Sequence, residues 1–118
     1  SKDDLQVAYD LLETLKFNES RCVGMAANMI GVLKNIIAIN DEGRYLIMIN
    51  PVVLKLSGHK YKTTEGCLSH VGERDCERFE IIKIEYYDID FKKKIKTFKG
   101  FTSQIIQHEL DHLNGVLI

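Results

Sequence analysis

The sequence predicts an α+β domain with mainly antiparallel sheets, and three observations support that prediction. Apolar residues recur at helical spacing near both ends of the chain. The middle of the chain consists instead of short runs rich in β-branched and aromatic residues. The segments between these runs are too short for the crossovers that parallel strands require. We therefore expect a helix, several strands and a second helix, in that order.

The first element is an amphipathic helix, expected from Asp3 to Lys16. Within this range apolar residues stand three and four positions apart, as they do on one face of a helix. Asp3 and Asp4 suit the N-terminal turn, where the helix dipole favours negative charge.

Five strands are expected in the middle of the chain. Turn-forming residues separate them, notably Asp41-Glu42-Gly43 and Ser57-Gly58. Pro51 marks an edge or a kink, because proline cannot donate to a central sheet ladder. The five runs are Ile36 to Ile39, Tyr45 to Val53, Tyr61 to Thr64, Ile81 to Tyr87 and Ile95 to Phe98.

A second helix is expected from Thr102 to Asn114. Thr102 or Ser103 can serve as its N-terminal cap, and Gly115 can end it. We expect the sheets to pack around this C-terminal helix.

Length and charge argue against several classes of protein. The 118 residues suffice for one domain, and 16 basic against 17 acidic side chains give a net charge of -1. We therefore expect no nucleic-acid or membrane surface, and the basic run Lys92 to Lys94 is typical of a solvated turn.

Cysteine usage and the N-terminal composition favour the cytoplasm. Cys22, Cys67 and Cys76 are odd in number and form no CxxC pair, which argues for a reducing compartment. The polar, acidic segment Ser1 to Asp10 does not resemble a signal peptide. The apolar segment Cys22 to Leu33 is too short to span a membrane.

The second predicted helix contains an HExxH motif, His108 to His112. Residues four apart share a helix face, so both imidazoles can bind one divalent ion. Glu109 then lies beside the open coordination position, where it can take a proton from water. The motif therefore predicts a metal-dependent hydrolytic site.

The third ligand must come from upstream, because the position that metzincins use for it is Ile118. The candidates are His59, His70, Cys67 and a carboxylate such as Glu65. Cys67 stands out because it follows a glycine at the end of a strand-like run. A thiolate with two imidazoles suits Zn or Fe(II) and leaves one position open. A purely structural metal site would need four protein ligands, and only three strong ones can be named, which counts against that hypothesis.

Three segments together resemble the signature motifs of bacterial-type peptide deformylases, GxGxAAxQ, EGCLS and HExDH. EGCLS is intact at Glu65 to Ser69, and HExDH is intact at His108 to His112. The first motif is partly kept at Cys22 to Met29. The resemblance covers nearly the whole chain, so we expect residues 1–118 to form one peptide-deformylase-like catalytic domain. We expect it to lack the C-terminal extension by which many members contact the ribosome.

The resemblance implies the chemistry of the site. Cys67, His108 and His112 would bind one divalent ion, usually Fe(II) in the family, with Zn, Ni or Co as other occupants. Glu109 would take the proton of the attacking water and return it to the leaving amine. The backbone N–H of Leu68 would stabilise the oxyanion.

It also implies the substrate, the formylated N-terminus of a nascent peptide. Val23 and Gly24 would pair with the peptide as a strand does, and Arg78 would steady the peptide backbone. Ile105 would line the pocket for the first side chain, formyl-methionine, although core packing explains it equally well. Proximity to the ribosome would be transient.

The first motif departs from the family at Cys22, where the family has glycine, and at Met29, where it has glutamine. That glutamine donates a hydrogen bond to the oxyanion, and a thioether has no proton to donate. Asn28 is adjacent, but a turn or backbone contact suits it better. The departure leaves a second hypothesis, a paralogue with weak or altered activity that binds metal and N-terminal peptides.

Overall fold

The computed structural model describes residues 2–19, 23–32, 34–66 and 73–114. Two α-helices enclose five strands in chain order, with a 3₁₀ helix after the first strand, so the predicted α+β class is confirmed. The elements are α1 (Lys2–Phe17), β1 (Gly24–Ala26), the 3₁₀ helix (Ala27–Ile30), β2 (Ile36–Asp41), β3 (Arg44–Gly66), β4 (Glu73–Tyr87), β5 (Lys93–Lys99) and α2 (Gly100–Leu113).

The strands form one antiparallel sheet in the order β1-β2-β3-β4-β5, so each strand pairs with its neighbours in sequence. The predicted turn at Asp41–Gly43 is confirmed, since Asp41 pairs with Arg44 across the β2–β3 hairpin. Glu42 and Gly43 have φ of 50° and 94°, the left-handed conformations that a two-residue hairpin turn needs.

The predicted turn at Ser57-Gly58 is wrong, because one long strand, β3, replaces two predicted strands. Its pairing with β4 shifts register near Pro51 and again between Ser57 and Lys60. Gly58 has a positive φ of 76°, and a β-bulge accommodates such a glycine as a turn does. The glycine that suggested a turn is therefore compatible with one continuous strand. Strand β4 likewise begins at Glu73, well before the predicted Ile81.

The two helices pack on opposite faces of the sheet. Alternate residues of β2 join different core clusters, Ile36 and Ala38 facing α1 and Ile37 and Ile39 facing α2. Both faces of β2 are therefore buried, which explains its continuous apolar run. Among the described helices, none is long and apolar enough to cross a membrane.

Helix α2 is fixed to β4 by side chains on its buried face. Gln107 exchanges two hydrogen bonds with the backbone of Phe79, at 2.7 and 2.9 Å. The predicted caps are wrong: the Ser103 hydroxyl donates to the Phe79 carbonyl, and the Thr102 hydroxyl donates to Asp41. Gly115, the predicted end of the helix, lies outside the described residues. These contacts set the position of the next helical turns, which carry the HExxH motif.

Candidate active site

Two buried imidazoles approach each other on one face of α2. The Nε2 atoms of His108 and His112 are 3.0 Å apart, and the side chains are almost fully buried. Two nitrogens that ligate one tetrahedral ion at about 2.0–2.1 Å would be separated by about 3.3–3.4 Å. The pair is therefore within a few tenths of an ångström of the spacing that a single divalent ion requires.

Glu65 fixes the proton of His108. Its Oε1 lies 2.6 Å from Nδ1 of His108, and a carboxylate can only accept there, so Nδ1 carries the hydrogen. The Nε2 of His108 then presents its lone pair toward His112. A metal-ligating histidine is commonly oriented by such a carboxylate.

Glu65 is in turn held by Arg78. The guanidinium donates to both carboxylate oxygens, at 2.7 and 3.0 Å, and its remaining terminal nitrogen contacts Asp111 at 2.6 Å. Burial raises the pKa of Glu65, but hydrogen bonds from His108 and Arg78 outweigh burial and lower that pKa to about 2. Glu65 is therefore an ionised acceptor for His108 near neutral pH.

The side chain of Arg78 is buried between two carboxylates. We expected it to contact a peptide backbone, yet its side chain is only 5% exposed and is occupied by Glu65 and Asp111. The sequence did not reveal this arrangement, because the partners of Arg78 are 13 and 33 residues away. The one sequence signal for this ion pair was Asp111 within HExDH. Metal binding does not require an acidic residue at that position, so its presence could have suggested another partner.

Glu109 lies against the backbone of β1. A methyl carbon built on Gly24 would be 2.8 Å from Oε2 of Glu109 and 2.9 Å from the Cγ2 of Ile105. Only glycine allows this approach, which brings three of the predicted site residues together. Ile105 also packs within the core cluster on this face, and Val23, just before β1, is 38% exposed.

The residues at the first motif have their own contacts. The Sδ of Met29 accepts a hydrogen bond from the backbone N–H of Ala26 at 3.4 Å, and its side chain packs against both core clusters. The side-chain amide of Asn28 donates to the backbone carbonyl of His112. Asn28 therefore makes the backbone contact that we preferred for it, and Met29 offers no donor.

The upstream ligand candidates divide into two groups. His59 is exposed on β3, and Glu65 is engaged with Arg78 and with the far side of the His108 ring. Cys67 and His70 lie outside the described residues, as does Leu68. Within the described ranges, no cluster of three histidine, cysteine or acidic side chains suits a metal ion.

Comparisons with known proteins agree with the motifs. A sequence model of the polypeptide deformylase family matches residues 1–118. The peptide deformylase of Clostridium beijerinckii is 48% identical over 118 residues, covering 100% of this chain and 86% of the relative. That of Dictyoglomus thermophilum is 38% identical over 114 residues, covering 96% of this chain and 72% of the relative.

Solved structures extend the comparison to the fold. A class I type b peptide deformylase from Acinetobacter baumannii superposes with a TM-score of 0.89 at 32% identity, covering 99% of this chain and 79% of that one. The Plasmodium falciparum peptide deformylase in complex with an inhibitor gives a TM-score of 0.84 at 41% identity, covering 98% and 71%.

Proposed function

The chain belongs to the polypeptide deformylase family, and from that premise we propose how its residues perform the family's reaction. The reaction is the metal-dependent hydrolysis that removes the N-formyl group from the N-terminal methionine of a nascent peptide. The observation that carries our assignment is the pair of imidazoles on α2, 3.0 Å apart, with one of them oriented by Glu65.

We assign metal ligation to His108, His112 and Cys67. Cys67 stands two residues after Glu65, whose carboxylate contacts His108. A thiolate with two imidazoles is a ligand set for Fe(II) or Zn, and we propose Fe(II) as the physiological ion, with Zn, Ni and Co as other occupants. When bound, such an ion polarises the formyl carbonyl and lowers the pKa of a water.

Glu109 is the general base and then the general acid. It takes the proton of the attacking water and returns it to the leaving amine as the C–N bond breaks. Its side chain is buried, and the backbone of β1 at Gly24 packs directly against it. We assign stabilisation of the oxyanion to the backbone N–H of Leu68. Met29 cannot contribute to it, because its thioether has no hydrogen to donate.

The peptide binds beside β1. In the described sheet β1 is a terminal strand with β2 as its strand partner, so its other side suits an extended peptide. We propose that Val23 and Gly24 pair with the N-terminal residues of the substrate and that Ile105 borders the methionine side chain. Such substrates arise on cytoplasmic ribosomes, where we expect transient proximity without binding to nucleic acid.

The test is metal content and formyl-Met-peptide hydrolysis on one anaerobically purified sample, then on samples loaded with Fe(II), Ni, Co or Zn. We expect one equivalent of metal, turnover well above that of the free ion, and the highest rate with Fe(II). Glu109→Gln is the matched control, because it keeps the three ligands and removes the base. It should retain the metal and lose about 10²–10⁴-fold in kcat.

Each outcome bears on a different part of the assignment. Metal binding without turnover would contradict the activity, and a sample that binds no metal would contradict the ligand set. Full turnover by the Glu109→Gln variant would contradict the role of Glu109 alone.

A further inference from the structure

The side chain of Asn28 bridges two distant parts of the site. Its Nδ2 donates to the backbone carbonyl of His112, 84 residues further along the chain. We propose that Asn28 is a positioning residue that holds the His112 end of α2 in the geometry that metal ligation needs. This inference rests on the proposed function, because it takes His112 as a ligand.

The carbonyl of His112 lies in the last turn of α2, which ends at Leu113. Carbonyls in the last turn of a helix are commonly bound by side chains as well as by backbone N–H groups, and the N–H of Asn114 also points at this one. Helix ends fray when such groups are left to solvent. A donor fixed in the rest of the fold therefore limits motion of the backbone that carries the His112 imidazole.

Asn28 is presented by a firmly anchored turn. It belongs to the 3₁₀ helix Ala27–Ile30, and Ala26 and Ala27 before it are fully buried. Gly31 closes the turn with φ of 80°, and its N–H donates to the Asn28 carbonyl at 3.2 Å. The amide therefore reaches α2 from backbone that is itself held by the core.

The two imidazoles are thus oriented by different routes. His108 is held through its ring, because Glu65 accepts from its Nδ1 at 2.6 Å. His112 is held through its backbone, because Asn28 donates to its carbonyl. Both contacts act on the 3.0 Å separation between the two Nε2 atoms, and that separation decides whether one ion can bind both rings.

Asn114 provides a matched control at the same end of the helix. Its Nδ2 donates to the carbonyl of Leu110 at 3.0 Å, so it makes the same kind of bond to α2. Leu110 is not a predicted ligand, and Asn114 is exposed, as Asn28 is. Replacing either asparagine removes one amide-to-carbonyl bond from the last turns of α2, but of these two side chains it is that of Asn28 that bonds to His112.

The experiment compares Asn28→Asp with Asn114→Asp in the full chain loaded with Co(II). Aspartate keeps the size of asparagine, removes the donor and puts the same charge at the same helix end. We measure the visible absorption bands of Co(II), the rate at which a chelator removes it, and the urea midpoint. Asn28→Asp should shift the bands and speed Co(II) release by about tenfold, as loss of an outer contact to a ligand does. Asn114→Asp should leave both unchanged.

A second pair of variants, Asn28→Ala and Asn114→Ala, removes the same hydrogen bonds without introducing a charge. Asn28→Ala should again shift the Co(II) bands and speed Co(II) release, and Asn114→Ala should change neither. Equal spectra and release rates for the two aspartate variants would overturn the proposal, and so would an Asn28 variant identical to the parent. A parent protein that binds no Co(II) would overturn the ligand assignment as well. The proposal alone fails when the parent binds Co(II) normally and both Asn28 variants match it.

Discussion

The two faces of the sheet bury different kinds of side chain. The α1 face is closed by aliphatic residues, among them Leu11 and Leu15, both fully buried. The α2 face combines an equally apolar cluster with a chain of buried charges. Among the described residues, all buried polar side chains lie on α2 or on β3 and β4, namely Glu65, Arg78, Ser103, Gln107, His108, Glu109 and His112.

The α1 face therefore contributes to stability, whereas the α2 face contributes both to stability and to the candidate site. Apolar packing on the α1 face depends on volume and tolerates substitutions that conserve it. The charges on the α2 face must each keep a partner, because an unpaired buried charge destabilises more than its pair stabilises. Changes on the α1 face should therefore alter stability alone, whereas changes on the α2 face should alter both stability and the site.

The largest effect is expected from Arg78→Met, which removes the centre of the buried charge network. It leaves Glu65 ionised and buried without its guanidinium, and breaking such a pair costs about 3–5 kcal/mol. We expect a loss of this size in the urea-derived free energy of unfolding, together with faster metal release. The matched control is Arg78→Met combined with Glu65→Gln, which removes the stranded charge and should recover part of the stability. A loss below about 1 kcal/mol would contradict the network's role.

The next largest effect is expected from Leu11→Ala on the opposite face. Leu11 is fully buried, and truncating a buried leucine costs about 2–5 kcal/mol through lost transfer energy and a cavity. The kcat of the folded fraction and the rate of metal release should not change. Leu12→Ala, at a half-buried neighbouring position, should cost less and serves as control. A changed metal release rate in Leu11→Ala would break the distinction between the faces.

A smaller effect is expected from Met29→Gln, and it should appear in the catalytic rate. The side chain of Met29 packs against both core clusters. The glutamine oxygen can accept from the Ala26 N–H as the thioether does, while its amide nitrogen donates to the oxyanion. We expect kcat on a formyl-Met peptide to rise by about tenfold, short of the hundredfold to thousandfold of a fully built donor.

Met29→Leu is the control, since it keeps the packing and adds no donor, and it should not raise kcat. An unchanged kcat in Met29→Gln would mean that another group already supplies the bond.

The sequence predicted what depends on local spacing. The helices follow from apolar periodicity, and the positions of His108, Glu109 and His112 follow from the pitch of one helix. The single strand β3 was not predictable, because the residues at Ser57-Gly58 suit a turn or a bulge and pairing with β4 decides between them.

Parts of the site that join distant segments were also beyond the sequence. Arg78 meets Asp111 across 33 residues, and Asn28 meets His112 across 84. These contacts depend on the sheet register and on how α2 lies against it, which no short pattern encodes. Glu65 was predicted only as a candidate third ligand and as the first residue of EGCLS, and its contact with Nδ1 of His108 became visible only in the folded geometry.

The smallest effect is expected from Lys34→Ala, which removes a charge pair on the α1 side. Lys34 contacts Asp4 at 2.5 Å, and this hydrogen bond raises the pKa of the lysine, but both side chains remain partly exposed. Exposed ion pairs contribute little because solvent screens them. We expect no measurable change in the urea midpoint at 0.15 M salt, in kcat or in metal release, with Asp4→Asn behaving alike. A loss approaching that of Arg78→Met would show that burial is not what distinguishes the two charge pairs.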